Sequence, residues 1–185
     1  SQDHVGIFAR SVKDVALGLD ATAGYDSRDP SSVQQNSPTY ASHLDGNVKG
    51  LRLAVPRRFL EGTESAVKEA FEVALKTLAE AGCVIDDLDI PELSYAAMTS
   101  MITSSAESAG INRRWFRECH QDFVPHVARG LAVGMTITAS EYLTVQRARH
   151  RIREALQQAY KKIDLIVSPT TPRVAPPISD GVRGN

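Results

Sequence analysis

The chain has 185 residues, of which 42% are hydrophobic, and a formal net charge of −1. This composition is typical of an ordinary globular protein, and no run approaches the roughly 18 apolar residues that a membrane span needs, so we expect no transmembrane segment. The two cysteines, Cys83 and Cys119, form no CxxC pair and no charged-then-apolar signal segment opens the sequence, which favours a reducing, cytoplasmic compartment.

The N-terminal quarter contains one predicted helix and a long loop. Ser11, with Asp14 three residues later, is typical of a helix start, and the apolar positions that follow keep the helical period. We therefore predict a helix over residues 11–24 that packs on a sheet. Residues 25–50 are dense in Ser, Asp, Asn, Pro and Gly and show no period, which predicts a surface loop or a linker.

A strand, a helix and a second strand are predicted next, with short connections. Residues 51–55 form an apolar run that Pro56 stops. Ser65 is expected to cap a helix that ends at Gly82, and residues 84–90 predict the following strand. This order predicts a βαβ unit, whose crossover is right-handed in about 98% of parallel cases.

The second half of the chain is predicted to be mainly helical. Residues 92–122 have helical propensity until Pro125 interrupts them, and residues 127–133 form a short amphipathic piece. Thr138 followed by Glu141 matches the capping box, in which each side chain satisfies a free backbone donor at a helix start. A long helix is therefore predicted to begin there.

One charged residue stands on the apolar stripe of this long helix. The stripe consists of positions spaced alternately three and four residues apart: Tyr142, Val145, Arg149, Ile152, Leu156, Ala159 and Ile163. A guanidinium on such a stripe costs desolvation energy unless acceptors meet it. Arg149 is therefore expected to have a partner in the protein, to extend outward to solvent, or to contact a ligand.

A short strand and a stiff loop are predicted after the long helix. Residues 165–167 are apolar, and Pro169 and Pro172 end the run because proline fixes φ and lacks a backbone donor. A buried strand that leads into such a loop is a common pocket wall. Taken together, the elements predict a helix-rich α/β fold with at least one βαβ unit.

Two short patterns suggest chemistry but have simpler explanations. Ser65 and Lys68 match the S-x-x-K pattern of a lysine-activated serine, yet no S-D-N or K-T-G pattern accompanies them. Helix capping accounts for Ser65 instead. The second pattern is a group of metal-ligand side chains whose spacing fits no common zinc site: Cys119, His120, Asp122 and His126. We interpret that segment as a solvated helix end.

Two further segments allow a binding interpretation. Residues 147–153 contain four arginines, which suggests phosphate contacts, but helical spacing distributes these charges around the helix, so we do not expect nucleic-acid binding. Pro169–Pro172 also fits a PxxP ligand, although the buried strand before it argues against an exposed polyproline segment.

Three blocks of the sequence together resemble the amidase signature family. They read DHVGIFARSVKD at 3–14 leading to AGYDSRDP at 23–30, GLRLAVP at 50–56, and DLIVSPTTP at 164–172. Their order and spacing resemble the family over nearly the whole chain, so residues 1–185 are expected to be the C-terminal part of an amidase-signature domain, with a mixed sheet flanked by helices. In the family, the catalytic core lies upstream of these blocks.

The resemblance implies a mechanism whose catalytic residues lie outside this chain. In the family, a lysine draws a proton through a cis serine from a nucleophilic serine, which attacks an amide carbonyl and forms an acyl-enzyme. The resemblance therefore implies no catalytic residue, no metal and no cofactor in this chain. It implies a small-molecule amide as the substrate of the parent enzyme, with Thr170 and Thr171 toward the substrate pocket.

Arg149 resembles the arginine with which the A subunits of tRNA-dependent amidotransferases hold the carboxylate of glutamine. Residues 131–138 depart from the Tyr- and Ser-rich segment of those subunits, which favours a stand-alone amidase. The A subunit of a glutamyl-tRNA(Gln) amidotransferase and a non-catalytic binding module are the alternatives. Because half a sheet leaves apolar surface, we also expect self-association or contact with an N-terminal part, and no membrane partner.

Overall fold

The computed structural model describes residues 2, 4–34 and 39–177. The chain divides into two units, Asp3–Asn47 and Val48–Asn185, the second of which includes residues 1–2. In the first unit, helix α1 spans Val12–Thr22, and the Ser11 side chain accepts a hydrogen bond from the backbone N of Asp14, as the predicted helix start requires. The Asp20 carboxylate accepts hydrogen bonds from the backbone at the start of a 3-10 helix, Tyr40–His43.

The larger unit contains a parallel sheet of three short strands. Strand β1 spans Arg52–Val55, β2 spans Val84–Asp87 and β3 spans Leu165–Ile166, in the order β2-β1-β3. Strand β1 is central, and three of its four residues are buried. The helix α2, Ser65–Glu80, connects β1 to β2, so the predicted βαβ unit and the α/β class are confirmed.

The sequence-based prediction that Ser65 caps α2 is wrong. The N-cap residue is Glu64, which has extended backbone geometry and makes no side-chain cap hydrogen bond. The backbone N of Glu64 instead donates to the carbonyl of Pro172, 2.9 Å away, so a distant segment holds the start of this helix. The predicted end is confirmed, because Gly82 follows the helix with φ of +97°, a conformation that side chains disfavour.

Strand β2 is shorter than the predicted 84–90 segment. Its last hydrogen bond to β1 runs from the backbone N of Leu88 to the carbonyl of Val55. After β1, Pro56 leads into a 3-10 helix, Arg57–Leu60. Within the described part of the chain, the residues that follow β2 therefore have no neighbouring strand with which to form backbone hydrogen bonds. A second 3-10 helix, Pro91–Tyr95, follows instead.

Three helices complete the larger unit. Helix α3 spans Ala96–Cys119, α4 spans Pro125–Thr136 and α5 spans Ala139–Ala159. Pro125 interrupts the helical segment as expected, but it does so by starting α4, which is longer than the predicted 127–133 piece because proline suits the first helical turn. Among the described residues, no helix combines the length and apolarity of a membrane crossing.

The capping box at the start of α5 is confirmed. The Thr138 hydroxyl accepts a hydrogen bond from the backbone N of Glu141, 3.3 Å away, and the Glu141 carboxylate accepts one from the backbone N of Thr138, 2.8 Å away. The Glu141 carboxylate accepts hydrogen bonds from the backbone N and from the hydroxyl of Thr138, and these lower the pKa of Glu141 because they favour its charged form. The predicted stripe of α5 is also confirmed as the packed face, with Val145 buried and the other members half-buried.

Candidate functional site

Two side-chain hydrogen bonds connect α3 and α5 at successive helical turns. The phenol oxygen of Tyr142 donates to Oε1 of Glu107 over 2.9 Å. Nε2 of Gln146 donates to Oγ1 of Thr103 over 3.1 Å, and Thr103 is fully buried. Because each pair of partners on one helix is four residues apart, both bonds lie on one face of each helix. This polar contact fixes how α5 is oriented against α3.

Arg149 lies on the same face of α5, three residues beyond Gln146. It is half-buried and has an interaction within the protein. It also lines an open cleft of about 310 Å³, whose lining residues are Gln146, Arg149, His150 and Arg153. Of the three outcomes predicted for Arg149, the structure shows an interaction in the protein. Contact of Arg149 with a ligand stays a prediction.

The charges of this region act on Tyr142. Its pKa is raised, chiefly because Glu107 accepts the phenol proton in a hydrogen bond and also because of burial and the Glu107 charge. The positive charge of Arg149 opposes this shift. A carboxylate and a guanidinium therefore act on the Tyr142 phenol, with opposite effects on its pKa.

His150 connects Arg153 to Glu154 on the exposed side of the cleft. Nη2 of Arg153 lies 3.2 Å from Nδ1 of His150, and Nε2 of His150 lies 3.2 Å from Oε1 of Glu154. A guanidinium only donates hydrogen bonds, so Nδ1 accepts and the ring proton lies on Nε2, where it faces the carboxylate. His150 thus contacts both Arg153 and Glu154 and orients Arg153 across the helix face.

Thr170 and Thr171, the other candidate substrate-binding residues, lie elsewhere. Both are outside the buried core, and the Thr171 hydroxyl donates to the carbonyl of Arg173 over 2.8 Å. Their loop is attached to the start of α2, where the Glu64 carboxylate accepts a hydrogen bond from the backbone N of Val174. Among the described residues that line the Arg149 cleft, neither threonine is present.

An ion pair at the start of β3 positions the segment that leads to this loop. The Asp164 carboxylate accepts hydrogen bonds from the backbone N, Nε and Nη2 of Arg52, at 2.8, 3.1 and 2.7 Å. These contacts lower the pKa of Asp164 to about 2, because the guanidinium and the backbone donor both favour the carboxylate. The pair therefore attaches β3 to the first residue of β1.

The two other patterns of the sequence do not form a site. Ser65 is the first residue of α2, and both Ser65 and Lys68 are exposed. Cys119 ends α3, and residues 120–122 form a 3-10 turn. Within the part of the chain that the structure describes, no group of three His, Cys, Asp or Glu side chains is arranged to hold a metal.

Sequence reasoning missed Glu107, Thr103 and Gln146. The periodicity of α5 places Gln146 beside Arg149, so the helical spacing was sufficient to predict Gln146 as a neighbour of Arg149. Glu107 and Thr103 belong to α3, and their approach to α5 depends on how the two helices pack.

A sequence comparison identifies the family of this chain. The family model described as Amidase matches residues 1–183. The chain belongs to the amidase family. Among its relatives, the amidase of Pseudomonas putida is 32% identical over 173 residues, and the A subunit of the glutamyl-tRNA(Gln) amidotransferase of Chloroflexus aurantiacus is 30% identical over 207 residues. The resemblance seen in the three sequence blocks is therefore confirmed.

Solved structures of amidase-family proteins share the fold. A vestigial protein complex that bears on the origins of an s-triazine catabolic enzyme contains a chain with a TM-score of 0.82 and 25% identity, covering 92% of this chain and 36% of that one. The A subunit of the glutamyl-tRNA(Gln) amidotransferase of Thermotoga maritima gives a TM-score of 0.74 and 26% identity, covering 92% and 38%.

The amidase-family chain is much shorter than these relatives. The match covers 93% of this chain but 37% of the Pseudomonas putida amidase, and 99% of this chain but 42% of the Chloroflexus aurantiacus protein. The chain thus corresponds to a partial domain of the family.

Proposed function

We propose that the chain is the C-terminal part of an amidase-signature hydrolase that cleaves a small-molecule carboxylic amide to an acid and ammonia. The observation that carries this proposal is the family match over residues 1–183 in a chain that spans 37% of the Pseudomonas putida amidase. In this proposal the nucleophilic serine, the cis serine and the lysine of the family lie outside the chain. The chain alone is then inactive.

In this proposal the chain contributes substrate-binding surface. Arg149 holds an acidic group of the substrate at the cleft on α5, because a guanidinium offers paired donors that match a carboxylate. Holding the substrate at a distance from the amide carbon contributes to catalysis by orientation. Thr170 and Thr171 are proposed to contact the substrate from the loop after β3, where their hydroxyl groups remain accessible.

Exposed apolar side chains support contact with a further part of the fold. Parallel sheets are usually covered on both faces, yet Val84 of β2 is 51% exposed and Leu165 of β3 is 49% exposed. Helix α3 also exposes four large apolar side chains: Met98, Met101, Ile111 and Trp115. We propose that an N-terminal part of the same domain, or a second copy of the chain, covers this surface.

Labelling with a serine-reactive fluorophosphonate tests whether catalysis lies outside the chain. We expect no specific labelling of the 185-residue chain, while an intact amidase relative is labelled under the same conditions. Ser65→Ala is the matched variant, because Ser65 and Lys68 form the S-x-x-K pattern. Labelling at one serine that disappears when that serine is replaced by alanine would overturn the proposal.

The A subunit of a glutamyl-tRNA(Gln) amidotransferase is a second candidate function, favoured by the relatives of that name. It predicts stable association with partner amidotransferase subunits. An affinity pull-down from the native host that recovers such subunits with the chain favours this second candidate. A pull-down that recovers none favours the stand-alone amidase. If the chain binds ligands but hydrolyses no amide, either alone or with its partners, it is a binding module.

A further inference from the structure

The cleft on α5 contains a second cation beside Arg149. Arg149 and Arg153 are four residues apart, and both line the same space of about 310 Å³. Side chains at this spacing start roughly 6 Å apart on one face of a helix. Both arginine side chains therefore start from one face of the helix and border the same cleft.

The second guanidinium is oriented and still has donors available. In the described contacts Arg153 uses Nη2 toward Nδ1 of His150, and His150 in turn faces Glu154 through Nε2. A guanidinium has five N–H donors in a fixed plane, so most of its hydrogen-bonding capacity remains for a ligand. The imidazole thus restrains Arg153 without neutralising its charge.

The lining of the cleft favours an anion. Besides the two guanidiniums, it consists of the Gln146 amide and the His150 imidazole, and among the described lining residues there is no carboxylate. Gln146 is held by Thr103 on α3, so its position is fixed by the fold. Two cations in a partly enclosed, polar space attract a ligand with two negative groups more strongly than one with a single negative group.

We propose that this cleft binds a small molecule with two acidic groups, one held at Arg149 and the other at Arg153, and that Arg153 determines this preference. The inference rests on the proposed function in one respect, because it narrows the amide substrate to an acidic one. Arg153 is then a specificity-determining residue for the substrate class.

Binding of glutarate to the whole 185-residue chain tests this proposal. The titration follows the Nε–H signals of the arginine side chains by nuclear magnetic resonance, with butyrate as the ligand that has one carboxylate. We expect saturable binding of glutarate that shifts the Arg149 and Arg153 signals together. Glutarate should bind about tenfold more tightly than butyrate, because the second charge-assisted contact adds to the first.

Substitutions separate the cleft from the general charge of the helix. Arg153→Gln should weaken glutarate binding about tenfold and leave butyrate binding nearly unchanged, whereas Arg149→Gln should weaken both. Arg147→Gln and Arg151→Gln are matched controls, because they remove the same charge from positions of the same helix outside the lining. Far-ultraviolet circular dichroism checks that each variant keeps its helices.

The outcomes distinguish this inference from the proposed function. Glutarate binding that does not saturate, or control variants that weaken it as much as Arg153→Gln, would overturn the inference while leaving amide hydrolysis by a longer form intact. If glutarate binds as expected but a longer form that includes the upstream reading frame hydrolyses no amide, the proposed function fails and the anion site stands.

Discussion

Helix α3 meets its two neighbours in opposite ways. Against α4 it packs through backbone and small side chains, since Gly134 lies against Ser105 and Ala109. Against α5 it packs through polar side chains, where Thr103 and Glu107 bond to Gln146 and Tyr142. The first contact depends on shape and the second on hydrogen-bond pairing.

The difference matters for the candidate site. A close approach of two backbones allows little adjustment, because any added atom meets main chain. Paired polar groups specify a particular orientation, because a mismatch leaves a buried donor or acceptor without a partner. The cleft with Arg149 lies beside the polar contact, where individual hydrogen bonds to α3 determine the orientation of α5.

The largest expected effect comes from adding one carbon at the α3–α4 contact. In Gly134→Ala the new Cβ overlaps the carbonyl oxygen of Ser105 and lies 2.8 Å from Cβ of Ala109. We expect a loss of about 3 kcal/mol in the free energy of unfolding, measured with urea.

Gly130→Ala on the same helix is the matched control for that substitution. Its added Cβ meets nothing within 4 Å, so the higher helix propensity of alanine should raise stability by about 0.5 to 1 kcal/mol. Equal stability of the two variants would show that α3 and α4 are not in close contact, and the comparison between the two interfaces would fail.

A smaller effect is expected at the α3–α5 contact. Gln146→Leu removes the donor to the fully buried Thr103 hydroxyl, and we expect a loss of about 1 to 2 kcal/mol in urea unfolding. Thr103→Val combined with Gln146→Leu should recover part of that loss, because the apolar pair leaves no unpaired group. Additive losses in the double variant would show that the hydrogen bond contributes nothing to stability.

The smallest effect is expected at an exposed polar contact in the sheet. The pKa of Asp164 is lowered in the folded state to about 2, from an unfolded value near 3.8. Its contribution to stability is therefore complete above about pH 4 and is lost as the pH falls toward 2. Thermal unfolding followed across this range should show less pH dependence for Asp164→Asn than for the parent chain.

Asp89→Asn is the control for this prediction, because Asp89 is an aspartate near the other outer strand. If Asp164→Asn and Asp89→Asn change the pH dependence equally, the effect reflects total charge and not the contact with Arg52. The comparison of contacts would then hold only for the interfaces of α3 with α4 and α5, and not for the sheet.

Predictions based on near neighbours were the most successful. The capping box of α5, the Gly82 end of α2 and the apolar run of β1 each depend on residues within a few positions, and the structure confirms them. The cap at Ser65 failed because the loop after β3 contacts Glu64. The backbone N of Glu64 donates to the carbonyl of Pro172, and the Glu64 carboxylate accepts a hydrogen bond from the backbone N of Val174, 110 residues away in the chain. Local spacing contains no information about such a contact.

For the candidate site, helical periodicity alone places Arg149 on the packed face of α5, with Gln146 one turn before it. Glu107 and Thr103 of α3 meet this face, and Thr170 and Thr171 lie outside the cleft, because of how distant elements pack. The physical reason is that a helix determines which of its own residues share a face. The packing of several elements, far apart in the chain, decides what that face contacts.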